Sequence, residues 1–274
     1  MNELKKTALD YLTAREPVLI ELASDIWEKP ELGLQEHFAM EEVCKVLERE
    51  GFSVQRGVGK AETACIGTWG SGGPVIGILG EYDALPGLSQ KVSAEKDPIV
   101  EGGPGHGCGH NLFAGGSLGG AMAIKAAMQA HGIPGTVKFF GCPAEETLAG
   151  KVLMAQAGAF DDLDASITWH PGGVNIPDGM NSSLAMNSFK VNFYGVSTHA
   201  AAQPHLGRSA LKGVQLMDIG VNYLREHLEQ EARVHCVITR GGEAPNVVPA
   251  YAQVWYYIRA PHRHQVEAIY ALVL

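Results

Sequence analysis

The chain has 274 residues, 46% of them apolar and 19% charged, which permits a sizeable core and excludes a disordered or fibrous protein. Its formal net charge of -9, from 21 Lys and Arg against 30 Asp and Glu, argues against a nucleic-acid partner, which needs a basic face. No apolar run approaches the roughly 20 residues that span a bilayer, and the N-terminal MNELKKTALDYLTAREP lacks the features of a secretory signal, so a cytoplasmic protein with no membrane contact is expected.

Leu4, Leu9 and Leu12, then Leu19, Leu22 and Ile26, recur at helical spacing and predict helix over 3–28, with Pro17 as a first-turn residue. A second helix is expected over 36–50 through Phe38, Val43, Val46 and Leu47, stopped by Gly51. Strand-like runs follow at 52–57, 62–69 and 74–80, the last apolar throughout, as a strand buried on both faces reads. Beyond a Gly/Pro-rich loop come a small-residue helix over 111–131 closed by Gly132, strand 136–141, helix 147–158 and strand 165–169. This alternation predicts an α/β domain with a parallel sheet covered on both faces. Its polar clusters, Glu81 with Asp83, Glu145 with Glu146, and His170, fall at carboxyl ends of strands, where ligands bind in such folds.

From residue 182 the order becomes strand 184–194, helix 206–228, strand 232–240, strand 250–260 and a helix from 263. Those are the first five elements of the β-α-β-β-α-β ferredoxin-like unit, and the chain is expected to be a truncated form of a longer protein. Residues 1–188 carry a net charge of -11 and residues 189–274 a net of +2, which fits two domains with different tasks, drawn at 1–185 and 186–274.

Five scattered cysteines make a disulfide framework improbable. The densest polar constellation is Gly105-His106-Gly107-Cys108-Gly109-His110-Asn111, in which a thiolate and an imidazole two residues apart can share a cation; a flexible loop with surface histidines fits it as well. In Pro143-Ala144-Glu145-Glu146-Thr147, adjacent carboxylates can divide metal binding and proton transfer, or can simply stabilise a helix first turn. Trp169-His170-Pro171 places a histidine directly after a strand, as a ligand or as a hydrogen-bonded turn residue. Cys108, His110, Glu146 and His170 at one end of a sheet favour metal. Gly115-Gly116-Ser117-Leu118-Gly119 matches G-x-S-x-G, but Ser117 lies inside a predicted helix and not on a strand-to-helix elbow, which argues against a serine hydrolase.

The ordered motifs Glu81-Tyr-Asp-Ala-Leu-Pro, Gly-His-Gly-Cys108-Gly-His110-Asn, Pro-Ala-Glu145-Glu146 and Trp-His170-Pro resemble those of the cocatalytic-metal amidohydrolases of the aminoacylase and carboxypeptidase G superfamily. Within it the match is to the Cys-x-His subfamily, of the aminobenzoyl-glutamate hydrolase type. The resemblance implies an α/β metallohydrolase domain with a mixed or parallel sheet, interrupted by an inserted ferredoxin-like lid or dimerisation domain. It implies two divalent ions, zinc or manganese, with Cys108 bridging, His110 and Glu146 on one ion and His170 on the other, and Glu145 as general base. Glu81 and Asp83 stand where many relatives have His-x-Asp and are assigned to support the ligands. In the lid, His199 of Ser197-Thr198-His199-Ala200 matches a histidine that reaches across a dimer to the scissile carbonyl. Asn246 and Arg259 are candidates to contact substrate, with His205 and Arg208 behind them. The implied reaction is hydrolysis of N-acyl amino acids by a homodimer or a heterodimer with a paralogous partner. The family's last ligand histidine lies beyond this chain's end, so a non-catalytic partner protein is the alternative.

Overall fold

The computed structural model describes residues 2–176 and 182–274, and the chain divides into two compact units, Met1–Asn175 and Ile176–Leu274. In the first unit the order is α1 (Glu3–Glu28), α2 (His37–Arg49), β1 (Ser53–Val58), β2 (Ala61–Ser71), β3 (Val75–Glu81), α3 (His110–His131), β4 (Gly135–Cys142), α4 (Gly150–Gln156) and β5 (Ala165–Ile167). Helix α1 runs unbroken through Pro17, contrary to the expectation of a first-turn proline. A proline costs the helix one hydrogen bond, and here Tyr11 on one side and Val18, Leu19, Leu22 and Ile26 on the other pack into the same core and hold the axis.

The five strands form one sheet in the order β1-β2-β4-β3-β5. It is mixed: β3 is parallel to β4 and β5, whereas β2 is antiparallel to both β1 and β4. Of the mixed or parallel sheet expected, the mixed form is the one found: β4-β3-β5 is the parallel portion, and the short connection from β1 to β2 is a hairpin, which cannot make a parallel crossover. Alternate strand residues face two cores. Cys65, Ile78, Val137 and Phe139 pack under α1, α2 and α3, while Ala64, Ile66, Phe140 and Cys142 pack against Met154 of α4.

Helix α4 starts at Gly150, three residues later than the pattern suggests. The segment before it cannot be helical, because Ala144 and Leu148 have φ of 52° and 55°, left-handed values that interrupt a right-handed helix. Glu145 and Glu146 are thus in an irregular turn and not in the first turn of a helix, and stabilising that helix is not their role.

The second unit contains β6 (Ala185–Tyr194), α5 (Ala210–Leu224), β7 (Arg233–Arg240), β8 (Tyr251–Ala260) and α6 (Arg263–Val273), with 3-10 turns at Pro204–Leu206 and Arg225–His227 bracketing α5. Its antiparallel sheet has the order β6-β8-β7. Ala185 already pairs with Ala260, so the sheet begins one residue before the boundary drawn from sequence. Ala252, Val254, Tyr256 and Ile258 are buried with Val214, Val221, Val266 and Ile269 of the two helices; the alternate residues of β8 lie on the uncovered face.

Candidate metal centre

The first unit gathers its polar residues where β3 and β4 end and α3 begins. Gly109, at φ 74°, takes the left-handed turn that launches α3, so Cys108 lies just before the helix and His110 opens it. His110 is fully buried. It donates from Nδ1 to Asp83 Oδ1 at 2.9 Å, which leaves Nε2 bare. That nitrogen lies 3.2 Å from Glu81 Oε2 and 3.8 Å from Glu145 Oε2.

His170 is held similarly, its Nδ1 donating to the Pro171 carbonyl at 2.9 Å while Nε2 lies 3.4 Å from Cys108 Sγ. Ligand atoms of Cys108, His110 and His170 lie within 4.8 Å of one another, and so do those of Glu81, His110 and Glu145. Cys108 thus lies within reach of both imidazoles, and its thiol neighbours the Glu146 carboxylate.

Asp83 ties the two halves of the centre together. Its Oδ1 orients His110, and its Oδ2 accepts the Glu146 backbone N–H at 2.9 Å. Glu81 pairs with Lys151, a residue without a signal in the sequence, because one lysine in a short helix carries no pattern.

Among the described residues, three buried atoms at this place make no hydrogen bond: Glu81 Oε2, His110 Nε2 and Glu146 Oε1. Buried polar atoms are normally satisfied, and such a set facing a thiol and two imidazoles fits a divalent cation of the kind that accepts sulfur, nitrogen and oxygen. The electrostatics agree. Burial, and then the Glu146 carboxylate, pushes the Cys108 thiol up to about 12, and burial raises Glu81 and Glu146 above the usual carboxylate range. Burial alone would lower His110, but Asp83 with Glu81 and Glu146 outweighs it and the net shift is upward. Burial and the crowding of Glu81, Glu145 and Glu146, with Lys151 as the cation paired to Glu81, favour protons over ionised groups; a metal cation reverses that preference.

His106 is set differently from its neighbours. Its Nε2 donates to the Ile26 carbonyl at 3.1 Å, and its Nδ1 is buried without a partner. Burial lowers its pKa from 6.5 to about 4. The unfolded chain therefore takes up a proton first as pH falls below about 6.5, and His106 should cost the fold stability progressively until about pH 4, where the loss levels off. Urea titrations between pH 7 and 4 should show a shallower decline in His106→Asn than in the parent; parallel curves would show that another group is responsible.

Ser117 is buried within α3, donates to the Leu79 carbonyl at 2.6 Å and accepts from Trp169 Nε1 at 3.1 Å. Both bonds tie a helix to the strands beside it, and among the described residues no base is hydrogen-bonded to its hydroxyl.

In the second unit His199 is exposed, and its Nδ1 accepts from the backbone N–H groups of Ala201 and Ala202 at 3.2 and 3.1 Å. Ala200 N–H donates to the Asn246 carbonyl at 2.9 Å, and His199 bridges Val247, so His199 and Asn246 sit together beyond the Tyr194 end of β6. Arg259 does not join them. It lies near the far end of β8, about 26 Å along the strand from Tyr251 at roughly 3.3 Å per residue, and its guanidinium stands over Tyr257. Arg208 folds back on the His205 and Gly207 carbonyls of its own turn.

Comparison with known proteins identifies the family. Residues 77–264 match the model of peptidase family M20/M25/M40. The chain is 43% identical to the B-type component of the p-aminobenzoyl-glutamate hydrolase of Escherichia coli, over 98% of this chain and 56% of that protein. It is 33% identical to the Xaa-Arg dipeptidase of Mus musculus, over 97% of this chain and 60% of that one. The crystal structure of a dinuclear metal-binding M20 peptidase from Bacillus subtilis has the same fold, with a TM-score of 0.61 at 24% identity over 95% of this chain and 68% of the other. The chain thus spans little more than half the length of these curated relatives. With the motif order, the mixed α/β sheet and the family match in agreement, the chain belongs to peptidase family M20/M25/M40.

Proposed function

We propose that this chain carries the metal-binding part of an amidohydrolase acting on N-acyl amino acids of the p-aminobenzoyl-glutamate class. The observation that carries the proposal is the convergence of Cys108, His110 and His170 with three partnerless buried atoms, beside a carboxylate that is still solvent-accessible, Glu145. Cys108, His110, Glu146 and His170 would hold the divalent ions, zinc or manganese. Bound there, such ions polarise a carbonyl and lower the pKa of an attacking water.

The chain's own residues do the rest. Glu145, with its side chain 31% exposed and 3.8 Å from His110 Nε2, accepts the proton of the attacking water and returns it to the leaving nitrogen. Asp83 keeps His110 in the tautomer with Nε2 free. Reaching across a dimer, His199 of one protomer offers Nε2 to the oxyanion developing in the centre of the other, and Asn246 beside it contacts substrate.

The second unit supports a lid and dimerisation role. Its spatial order β6-β8-β7 is that of the first three strands of a ferredoxin-like unit, in which a fourth would pair beside β6. On α5, Leu216, Ile219 and Tyr223 are 70%, 51% and 72% exposed at i, i+3, i+7 spacing, an apolar stripe suited to a second protomer, homomeric or paralogous. Among the described residues no helix is long and apolar enough to cross a membrane.

Hydrolysis of p-aminobenzoyl-glutamate by the protein should vanish on chelation and return with zinc or manganese. A Xaa-Arg dipeptide is the comparison substrate. Activity that survives chelation, or metal-loaded protein that cleaves neither, would overturn the proposal.

A further inference from the structure

Glu36 is fully buried at the start of α2, and among the described residues it enters no ion pair. A buried carboxylate without a cation is costly unless its oxygens are well bonded, and both are. Oε1 accepts the backbone N–H of Ala144 at 2.7 Å, and Oε2 accepts the Thr63 hydroxyl at 2.8 Å. Burial holds Glu36 above the ordinary carboxylate range. A leucine or glutamine there would avoid the desolvation of a charge, so the carboxylate calls for an explanation other than packing.

Its partner supplies one. Ala144 has φ 52°, a strained conformation for a residue with a Cβ, and it immediately precedes Glu145. The same short segment crowds Ala144 from below: a Cβ on Gly33 would come within 3.0 Å of the Ala144 Cβ. From the other side a Cβ on Gly150 would meet the Pro143 carbonyl at 1.7 Å, so the turn can fold back only onto glycine. The segment is braced in turn on the end of β3, where Ala84 N–H donates to the Glu31 carbonyl at 2.8 Å. Residues 31–36 therefore tie together the two strand ends that carry Asp83 and Glu145.

We propose that Glu36 is a positioning residue for the Glu145–Glu146 pair, acting through the main-chain N–H of Ala144. Asp83 fixes the turn at the Glu146 N–H and Glu36 fixes it at the Ala144 N–H, so Glu145 is bracketed between two anchored amides. With both anchors in place its carboxylate is directed at the centre, and Glu146 brings Oε1 inward. Glu36 itself touches neither ligand atoms nor substrate. The role rests on the reading of Glu145 and Glu146 under Proposed function, and the test separates the two.

The variants are Glu36→Ala, Glu36→Gln and Glu36→Asp, with Val43→Ala as a control that removes buried volume from the same helix without touching the turn. Glutamine can still accept from Ala144 N–H and donate to the Thr63 hydroxyl, whereas aspartate keeps the charge but withdraws its oxygens by one methylene. Hydrogen exchange is measured on peptides covering 141–150, cobalt(II) binding by calorimetry, and kcat and KM on p-aminobenzoyl-glutamate. Glu36→Ala and Glu36→Asp should speed exchange across the turn and weaken cobalt(II) about tenfold or more, the range seen when groups supporting a metal ligand are removed. They should lower kcat with little change in KM, while Glu36→Gln stays within about threefold of the parent and Val43→Ala loses stability alone. If Glu36→Ala does not fold, Glu36→Asp carries the test. Unchanged turn exchange in the aspartate variant, or the same changes in Val43→Ala, would overturn the proposal. A parent protein that neither binds cobalt(II) nor turns over would instead refute the functional reading, with the exchange measurement still reporting on the tether.

Discussion

Replacing Glu145 with glutamine is expected to cut turnover by about 10²- to 10⁴-fold, the usual contribution of a positioned general base, while divalent-metal affinity stays within a few-fold of the parent. The two adjacent carboxylates differ in surroundings. Glu145 keeps a solvent-accessible side chain on the edge of the centre, 3.8 Å from His110 Nε2, where a water or a substrate nitrogen can reach it. Glu146 has a buried oxygen without a partner, a backbone N–H held by Asp83, and Cys108 beside its carboxylate. Glu146→Ala should therefore lose metal together with activity. Metal content and single-turnover rates on both variants settle the assignment: loss of metal in Glu145→Gln with retention in Glu146→Ala would reverse the two roles.

The second large effect is expected at Cys108. Cys108→Ala removes the thiol from the donors that converge with His110 and His170, and of the proposed ligands it leaves only His110, Glu146 and His170 to serve two ions, where a single zinc takes three or four protein donors. Metal affinity should fall by well over the 10- to 100-fold that follows loss of a supporting residue. Asp83→Ala provides that smaller comparison, since it takes one of two acceptors from His110 Nδ1, the residue-83 carbonyl at 3.1 Å remaining, and releases the Glu146 N–H without removing a ligand. Calorimetric titration with zinc or manganese ranks the two. An Asp83 variant weaker than the Cys108 variant would mean that the thiol is not a ligand and that His110 and Glu146 dominate.

Local sequence determined much of this protein. Helix periods were legible where one face is buried, and the central strands where both faces are, because burial writes its pattern into the residues. The Cys108-x-His110 pair by itself fitted a loop with surface histidines as well as a metal site; it was its place in the order of four short motifs that pointed to the family before any contact was known.

What needed the folded chain was whatever depends on residues distant in sequence. The mixed character of the sheet is set by how β2 pairs with β4, across about seventy residues, and no local pattern encodes pairing partners. Helix α4 begins later than its pattern because Ala144 and Leu148, both good helix formers, adopt left-handed φ under tertiary constraint, against their own propensity. The separation of Arg259 from His199 by the length of a strand is likewise a product of packing. Glu36 is the sharpest case. In sequence it is one acid among several before a helix; only the fold brings Ala144, 108 residues away, onto its oxygen and puts the carboxylate where water cannot compete for it.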